Sequence, residues 1–259
     1  MLIAVTRPVS ASIDRCELTY LGRQPIDLAL ARAQHAGYEE ALTRLGARVV
    51  RLSGNDELPD ATFVEDAAVV LDELAIVPVM GAPSRRPESA EVARCLGRFR
   101  PLRRLEPPGT LDGGDVVVAE RTVYVGRTQR TDDAGIAQLR RVLEPHGYAV
   151  VRLVPTGCLH LKSACTYLGR RTVLANPQRV DVQAFEGMKV IEVAPEEPEA
   201  ANAVGLAGTL VFPGDFPRTR ERLEAEGFTV IPVEVSEIRK AEAAVSCMSL
   251  LFDADLPQG

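Results

Sequence analysis

The chain has 259 residues and a formal net charge of −6, a balance that argues against nucleic acid as its main partner, since phosphate backbones need a basic face. Hydrophobic residues make up 46% and charged residues 25%, enough to bury one large core or two small ones. No apolar run approaches the roughly 20 residues of a membrane span, and the opening MLIAVTRPVS lacks the charged-then-apolar layout of a signal peptide. The expectation is a cytoplasmic protein that neither crosses nor binds a membrane. Its five cysteines are odd in number and without CxxC spacing, so no disulfide framework, structural zinc or other cofactor is expected.

In chain order, MLIAVTRP reads as a strand, ALARAQHAGYEEALTRLG as a helix and ARVVRL as a second strand. A repeating pattern starts after Asp66. AAVVLDELAIVPV holds two short β-rich runs around an acidic turn, PSRRPESAEVARCLGRF turns at Pro87 into a helix, and PLRRLE is a strand. The second unit is DGGDVVVAERTVYVGR, the helix TDDAGIAQLRRVLEPHG and the strand YAVVRLVP. The third is SACTYLGRRTVLANP, a shorter helical piece around DVQAFEGM, and KVIEVAP. The fourth is ANAVGLAGTLVFPGD, the helix PRTRERLEAEG and FTVIPVEV. Near the C-terminus AVSCMSLLF reads as a strand that completes the N-terminal elements as a fifth, split unit.

Every unit is thus strand, tight turn, strand, helix, strand. The polar residues at or near the unit starts, Asp66, Asp112, His160, Asn202 and Cys247, are spaced 46, 48, 42 and 45 residues apart. This repeat predicts an α/β fold forming a single domain over residues 1–259. It is a five-bladed α/β propeller of five ββαβ units with pseudo-five-fold symmetry and helices outside, its ring closed by the N- and C-terminal strands. An open doubly wound sheet ranks second, because short turns join hairpins and not parallel crossovers.

Taken singly, the polar residues are ordinary. A cysteine in an apolar strand usually packs, a lone histidine is usually a hydrogen-bonded structural residue, and TLDGGD could be only a hairpin entry. The ring changes this by predicting that Asp66, Asp112, His160 and Cys247 converge on one pocket. A thiol, an imidazole and carboxylates together suit nucleophilic attack on a cationic electrophile.

The motifs LPDATFVED (58–66), GAPSRR (81–86), TLDGGD (110–115), GCLHLKS (157–163) and Ser246-Cys247-Met248-Ser249 resemble those of the dimethylarginine dimethylaminohydrolase family, over nearly the whole chain. That family belongs to the guanidine-modifying pentein superfamily, whose fold is a five-bladed α/β propeller. The resemblance implies hydrolysis of Nω-methylated or Nω,Nω-dimethylated L-arginine to L-citrulline and the methylamine. It casts Cys247 as the nucleophile forming a covalent thiouronium, and His160 as the acid and then the base. Asp112, where many bacterial members carry Glu, would orient His160 or hold a guanidinium nitrogen. Glu65 and Asp66 would meet the guanidinium, Arg85 and Arg130 the α-carboxylate, and Asp60 the α-amino group. Leu18 and Ala241 would contact ligand largely through backbone, and Phe63 would pack a pocket wall. Residues 12–24 would form a loop closing over substrate, with Gly22 as a hinge.

The resemblance implies no metal, a small-molecule substrate, and a monomer or homodimer. Arg86 and Arg127 read as solvated, Cys16 as a thiol of the loop, Cys158 and Cys165 as core, and His35 and His146 as structural. Arginine deiminase or another guanidino hydrolase is the alternative within the enzyme class; a non-catalytic binding propeller is the alternative outside it.

Overall fold

Strand β1 (Leu2–Thr6) is buried at every position because it has a partner on each edge. β2 (Arg48–Arg51) runs parallel beside it, and the strand Leu250–Asp253, β15 in chain order, runs antiparallel on the other side. Helix α1 (Leu28–Arg44) links β1 to β2. The Asp27 carboxylate caps it by accepting from Leu30 N at 3.0 Å, and Gly46, at φ +86°, supplies the left-handed residue that ends it. These elements belong to a computed structural model describing residues 1–206 and 208–254; Ala207 and residues 255–259 of the expected domain lie outside the described residues.

The remaining units follow in sequence. The first has β3 (Val69–Val70), β4 (Ala75–Val77), α2 (Ser89–Leu96) and β5 (Leu102–Arg104). The second has β6 (Val116–Ala119), β7 (Thr122–Gly126), α3 (Asp133–Leu143) and β8 (Ala149–Leu153). The third has β9 (Cys165–Gly169), β10 (Thr172–Ala175) and β11 (Lys189–Glu192). The fourth has β12 (Val204–Leu206), β13 (Thr209–Pro213), α4 (Pro217–Ala225) and β14 (Thr229–Val233), followed by the one-turn helix α5 (Ser236–Arg239). In each sheet the middle strand pairs antiparallel with the first strand of its unit and parallel with the last. The described residues therefore form three-stranded sheets in the ββαβ order that the repeat predicts.

Two elements differ from expectation. In the third unit the helical piece is only the turn Val182–Ala184, capped by Asp181 and cut short by Gly187 at φ +72°. In the split unit AVSCMSLLF is not strand throughout. Ser246–Met248 is a short helical turn and β15 starts at Leu250, so Cys247 precedes the strand. The cause is side-chain bonding by the flanking serines. Ser246 Oγ accepts from Asn202 Nδ2 at 2.9 Å, and Ser249 Oγ pairs with the Tyr38 hydroxyl at 2.7 Å.

Apolar residues fill the seams between units. Ile3, Val5 and Phe252 pack with Val64 and Val92; Ile76 with Val116 and Val125; Tyr124 with Cys165 and Val173. Leu174 packs with Leu210 and Phe212, and Val211 with Tyr38 and Met248. Each such side chain contributes about 1.5–3 kcal/mol on burial, so a unit's apolar face is stabilised by its neighbour. Cys158 and Cys165 are buried in one of these seams, and His35 is buried in α1. His146 ends the short turn Glu144–His146, while Arg86 and Arg127 are exposed. Among the described residues no helix is long and apolar enough to cross a membrane.

Candidate active site

Short helical turns stand just before the first strands of their units: Val64–Ala67, Gly113–Asp115, Leu161–Ser163 and Ser246–Met248. The turn 64–67 packs on 113–115 and on 246–248, and 113–115 packs on 161–163. Residues far apart in sequence meet there. The glycines of DGGD permit the approach: a Cβ on Gly113 would lie 2.1 Å from Glu65 O, and one on Gly114 2.6 Å from Asp66 Oδ1 and 2.8 Å from His160 Nδ1.

His160 lies between two acids. Its Nε2 is 3.1 Å from Asp112 Oδ2 and its Nδ1 is 3.7 Å from Asp66 Oδ1. Burial alone would strip its proton, but Asp66, the bond to Asp112 and nearby Asp115 outweigh that and hold the imidazolium up to about 9. Asp112 is fully buried behind the ring. Its Oδ1 accepts from Gly81 N at 2.8 Å and its own N–H donates to Thr131 Oγ1 at 3.1 Å. Of the two roles open to Asp112, the geometry suits orienting His160.

Asp66 accepts from Arg85 Nη1 at 2.7 Å and from Gly114 N at 3.0 Å. Burial opposes its charge, yet His160 and Arg85 hold its carboxyl down at about 2. Arg85 in turn is gripped by Glu88, whose oxygens accept from Nε at 3.1 Å and Nη2 at 2.9 Å, while Nη2 also reaches Phe63 O at 3.2 Å. Most of the Arg85 fork is therefore engaged inside the protein. Arg130 differs. It is buried, with Nη1 3.9 Å from Asp112 Oδ2, and that nitrogen has no hydrogen-bond partner among the described residues.

Cys247 is half-buried, and its Sγ accepts weakly from Ala244 N at 3.4 Å. Burial pushes the thiol well up, and the carboxylates of Glu65 and Asp66 push in the same direction. Glu65, expected to meet a guanidinium, has both oxygens engaged: Lys162 Nζ donates to Oε1 at 2.6 Å and Ser246 Oγ to Oε2 at 2.8 Å. Asn202 Nδ2 completes this network with a 2.9 Å bond to Ser246 Oγ, so Glu65 and Asn202 fix the turn that carries Cys247.

A small cavity of about 10 Å³ brings together Asp60, Phe63, Asp66, Arg85, Arg130, His160, Ala241 and Cys247. Burial raises the Asp60 carboxyl against the pull of Arg85. Leu18 is half-buried against the apolar cluster that Cys247 also touches. Glu65 faces a larger neighbouring cavity of about 490 Å³, onto which His160 and Cys247 also open. The sequence reading missed Glu17 and Glu242, which line the small cavity, and Glu88, which grips Arg85. Of these only Glu88 had a signal, its i,i+3 spacing from Arg85 in a helical turn. Asp66, Asp112 and His160 each offer one donor atom within 4.8 Å of the others, a grouping that could hold a cation; the charged imidazole already meets that field.

Comparisons with known proteins show the family of the chain. The profile of a family described as N,N dimethylarginine dimethylhydrolase, eukaryotic, matches residues 19–197. An N(G),N(G)-dimethylarginine dimethylaminohydrolase of Pseudomonas aeruginosa is 35% identical over 254 residues, 96% of this chain and 98% of its own. One of Streptomyces coelicolor is 37% identical over 249 residues, 95% of each chain. A solved structure of the Pseudomonas aeruginosa enzyme, a cysteine-to-serine mutant complexed with citrulline, superposes with a TM-score of 0.92 at 33% identity, covering 96% of this chain and 98% of that one. The N-terminal domain of ArgZ, a cyanobacterial arginine dihydrolase, reaches a TM-score of 0.88 at 19% identity, which shows the shared fold alone. By sequence over nearly its whole length, and by a pentein fold, the chain belongs to the dimethylarginine dimethylaminohydrolase family.

Proposed function

We propose that this protein hydrolyses Nω-methylated L-arginines to L-citrulline and the free methylamine, with Cys247 as nucleophile. The observation that carries this reading is that Cys247, His160 and Arg130, whose buried Nη1 makes no hydrogen bond among the described residues, line one small cavity, beside a larger one onto which Cys247 and His160 also open. An amino-acid substrate has a carboxylate to satisfy that guanidinium, an ammonium for Asp60, and a guanidinium for the field of Asp66. Arg85, with most of its fork engaged by Glu88 and Asp66, serves chiefly to fix Asp66 and leaves Arg130 as the main carboxylate donor.

The resting thiol is protonated, and His160 cannot take its proton because the imidazole already carries one. A cationic substrate between Cys247 and Asp66 lowers the cost of the thiolate, and the thiol proton leaves to solvent. The thiolate adds to the guanidinium carbon. The C–N bond to the methylated nitrogen then breaks as His160 donates its proton to the departing amine, which leaves a Cys247 thiouronium. Neutral His160 next takes a proton from water. The hydroxide adds to the same carbon, the C–S bond breaks, the added hydroxyl passes its proton to the departing sulfur, and citrulline and the resting thiol are released. Asp112 holds the ring in register for both proton transfers.

Mass spectrometry of enzyme quenched in acid during turnover of asymmetric dimethylarginine tests this. The expected result is an adduct on Cys247, with no citrulline from Cys247→Ser. Wild-type citrulline formation by that variant overturns the reading.

A further inference from the structure

The roof of the substrate cavity is held by side-chain carboxylates and not by a backbone ladder. Glu17 borders the small cavity, Tyr20 and Leu21 border the large one, and Leu18 lies against the cluster that Cys247 touches. Segment 17–21 thus borders both cavities. The Glu17 N–H donates to the Asp60 carboxylate at 3.1 Å. The next anchor is Glu242: its Oε2 accepts from Thr19 N at 2.9 Å, and its Oε1 accepts from both Tyr20 N and Leu21 N. Three successive amides converging on one carboxylate form a concave anion site, here filled from within the chain.

The backbone of Glu242 adds a second observation. It has φ +55°, a left-handed conformation that glycine adopts freely and a glutamate adopts at a cost. Glu242 lines both cavities, next to wall residue Ala241 and in the turn leading to Cys247. Tyr20 and Leu21 remain 51% and 47% exposed, so their side chains do little to hold the roof.

We propose that Glu242 is a positioning residue: by accepting from the amides of Thr19, Tyr20 and Leu21 it fixes segment 17–21 beside the Cys247 cavity, in the place that substrate binding needs. Its effect on catalysis rests on the reading of the cavity as a methylarginine site; its grip on the segment does not. In Glu242→Gln an NH₂ group replaces one accepting oxygen and faces a donor.

The test has two arms, amide hydrogen exchange of the peptide covering 17–21 without substrate, and steady-state turnover of asymmetric dimethylarginine. In E242Q, exchange at 19–21 is expected to rise at least about tenfold, and KM to rise about tenfold with a smaller change in kcat. Glu242→Asp keeps the charge and should recover part of both. Glu242→Gly suits the backbone and gives the same comparison should the glutamine variant not fold. Wild-type exchange in E242Q overturns the proposal whatever the kinetics. Raised exchange with an unchanged KM overturns its link to substrate. If the wild type does not turn over dimethylarginine, the functional reading fails and the exchange arm alone decides the grip.

Discussion

A buried histidine ordinarily loses its proton, yet His160 keeps one because Asp66, Asp112 and Asp115 surround it. This charge links the site to stability. The imidazole titrates near 6.5 when unfolded and about 9 when folded, so its interactions stabilise the fold fully below pH 6.5. That contribution is lost as the pH rises through about 9. Asp66 behaves in the opposite sense: its carboxyl falls from 3.8 to about 2, so its share is present above pH 3.8 and lost as the pH falls toward 2. The urea midpoint of the wild type should therefore decline between pH 6.5 and 9, and that of His160→Gln should decline less; parallel curves would refute the linkage. Cys247, His160 and Asp66 were legible in the sequence because equal spacing placed them at equivalent points of a repeat. The engagement of Glu65 by Lys162 and Ser246 was not. Its partners stand 97 and 181 residues away, and nothing local separates a structural acid from one awaiting substrate.

The short turns before the first strands are the elements on which the site depends. They let a polar residue point inward where a strand would have turned it to one face or the other. The sequence showed the alternating runs and the glycines, but it read Cys247 into a strand, because apolar residues surround it and the bonds from Ser246 and Ser249 reach across the fold. Gly114 tests this description. Gly114→Ala would put a methyl group against both Asp66 Oδ1 and His160 Nδ1. The expected outcome is a loss of stability of about 1–3 kcal/mol by overpacking and a fall in kcat/KM of at least about a hundredfold. Thermal melts and kinetics on one preparation measure both, and near-wild-type activity would mean the two side chains need not approach as described.

For the whole molecule, the split unit matters most, and it was legible because the last strand and the first complete one repeat. Met1 N donates to Ala254 O at 2.9 Å, and Ala254 N returns a bond of 2.9 Å to Met1 O. The two ends of the described chain therefore touch. A circular permutant joining them through a short linker, with new termini at the exposed turn around Gly187, should fold and retain activity. Circular dichroism and citrulline release check this; an unfolded permutant would show that the order of the units matters beyond their contacts. The same seam has a consequence for synthesis. β1 leaves the ribosome before the other described strands, yet its partner β15 emerges after all of them, and Cys247 emerges just ahead of β15. Until β15 emerges, the buried first strand has one open edge. Nascent chains therefore carry an exposed pairing edge, an aggregation hazard that ends when β15 covers it.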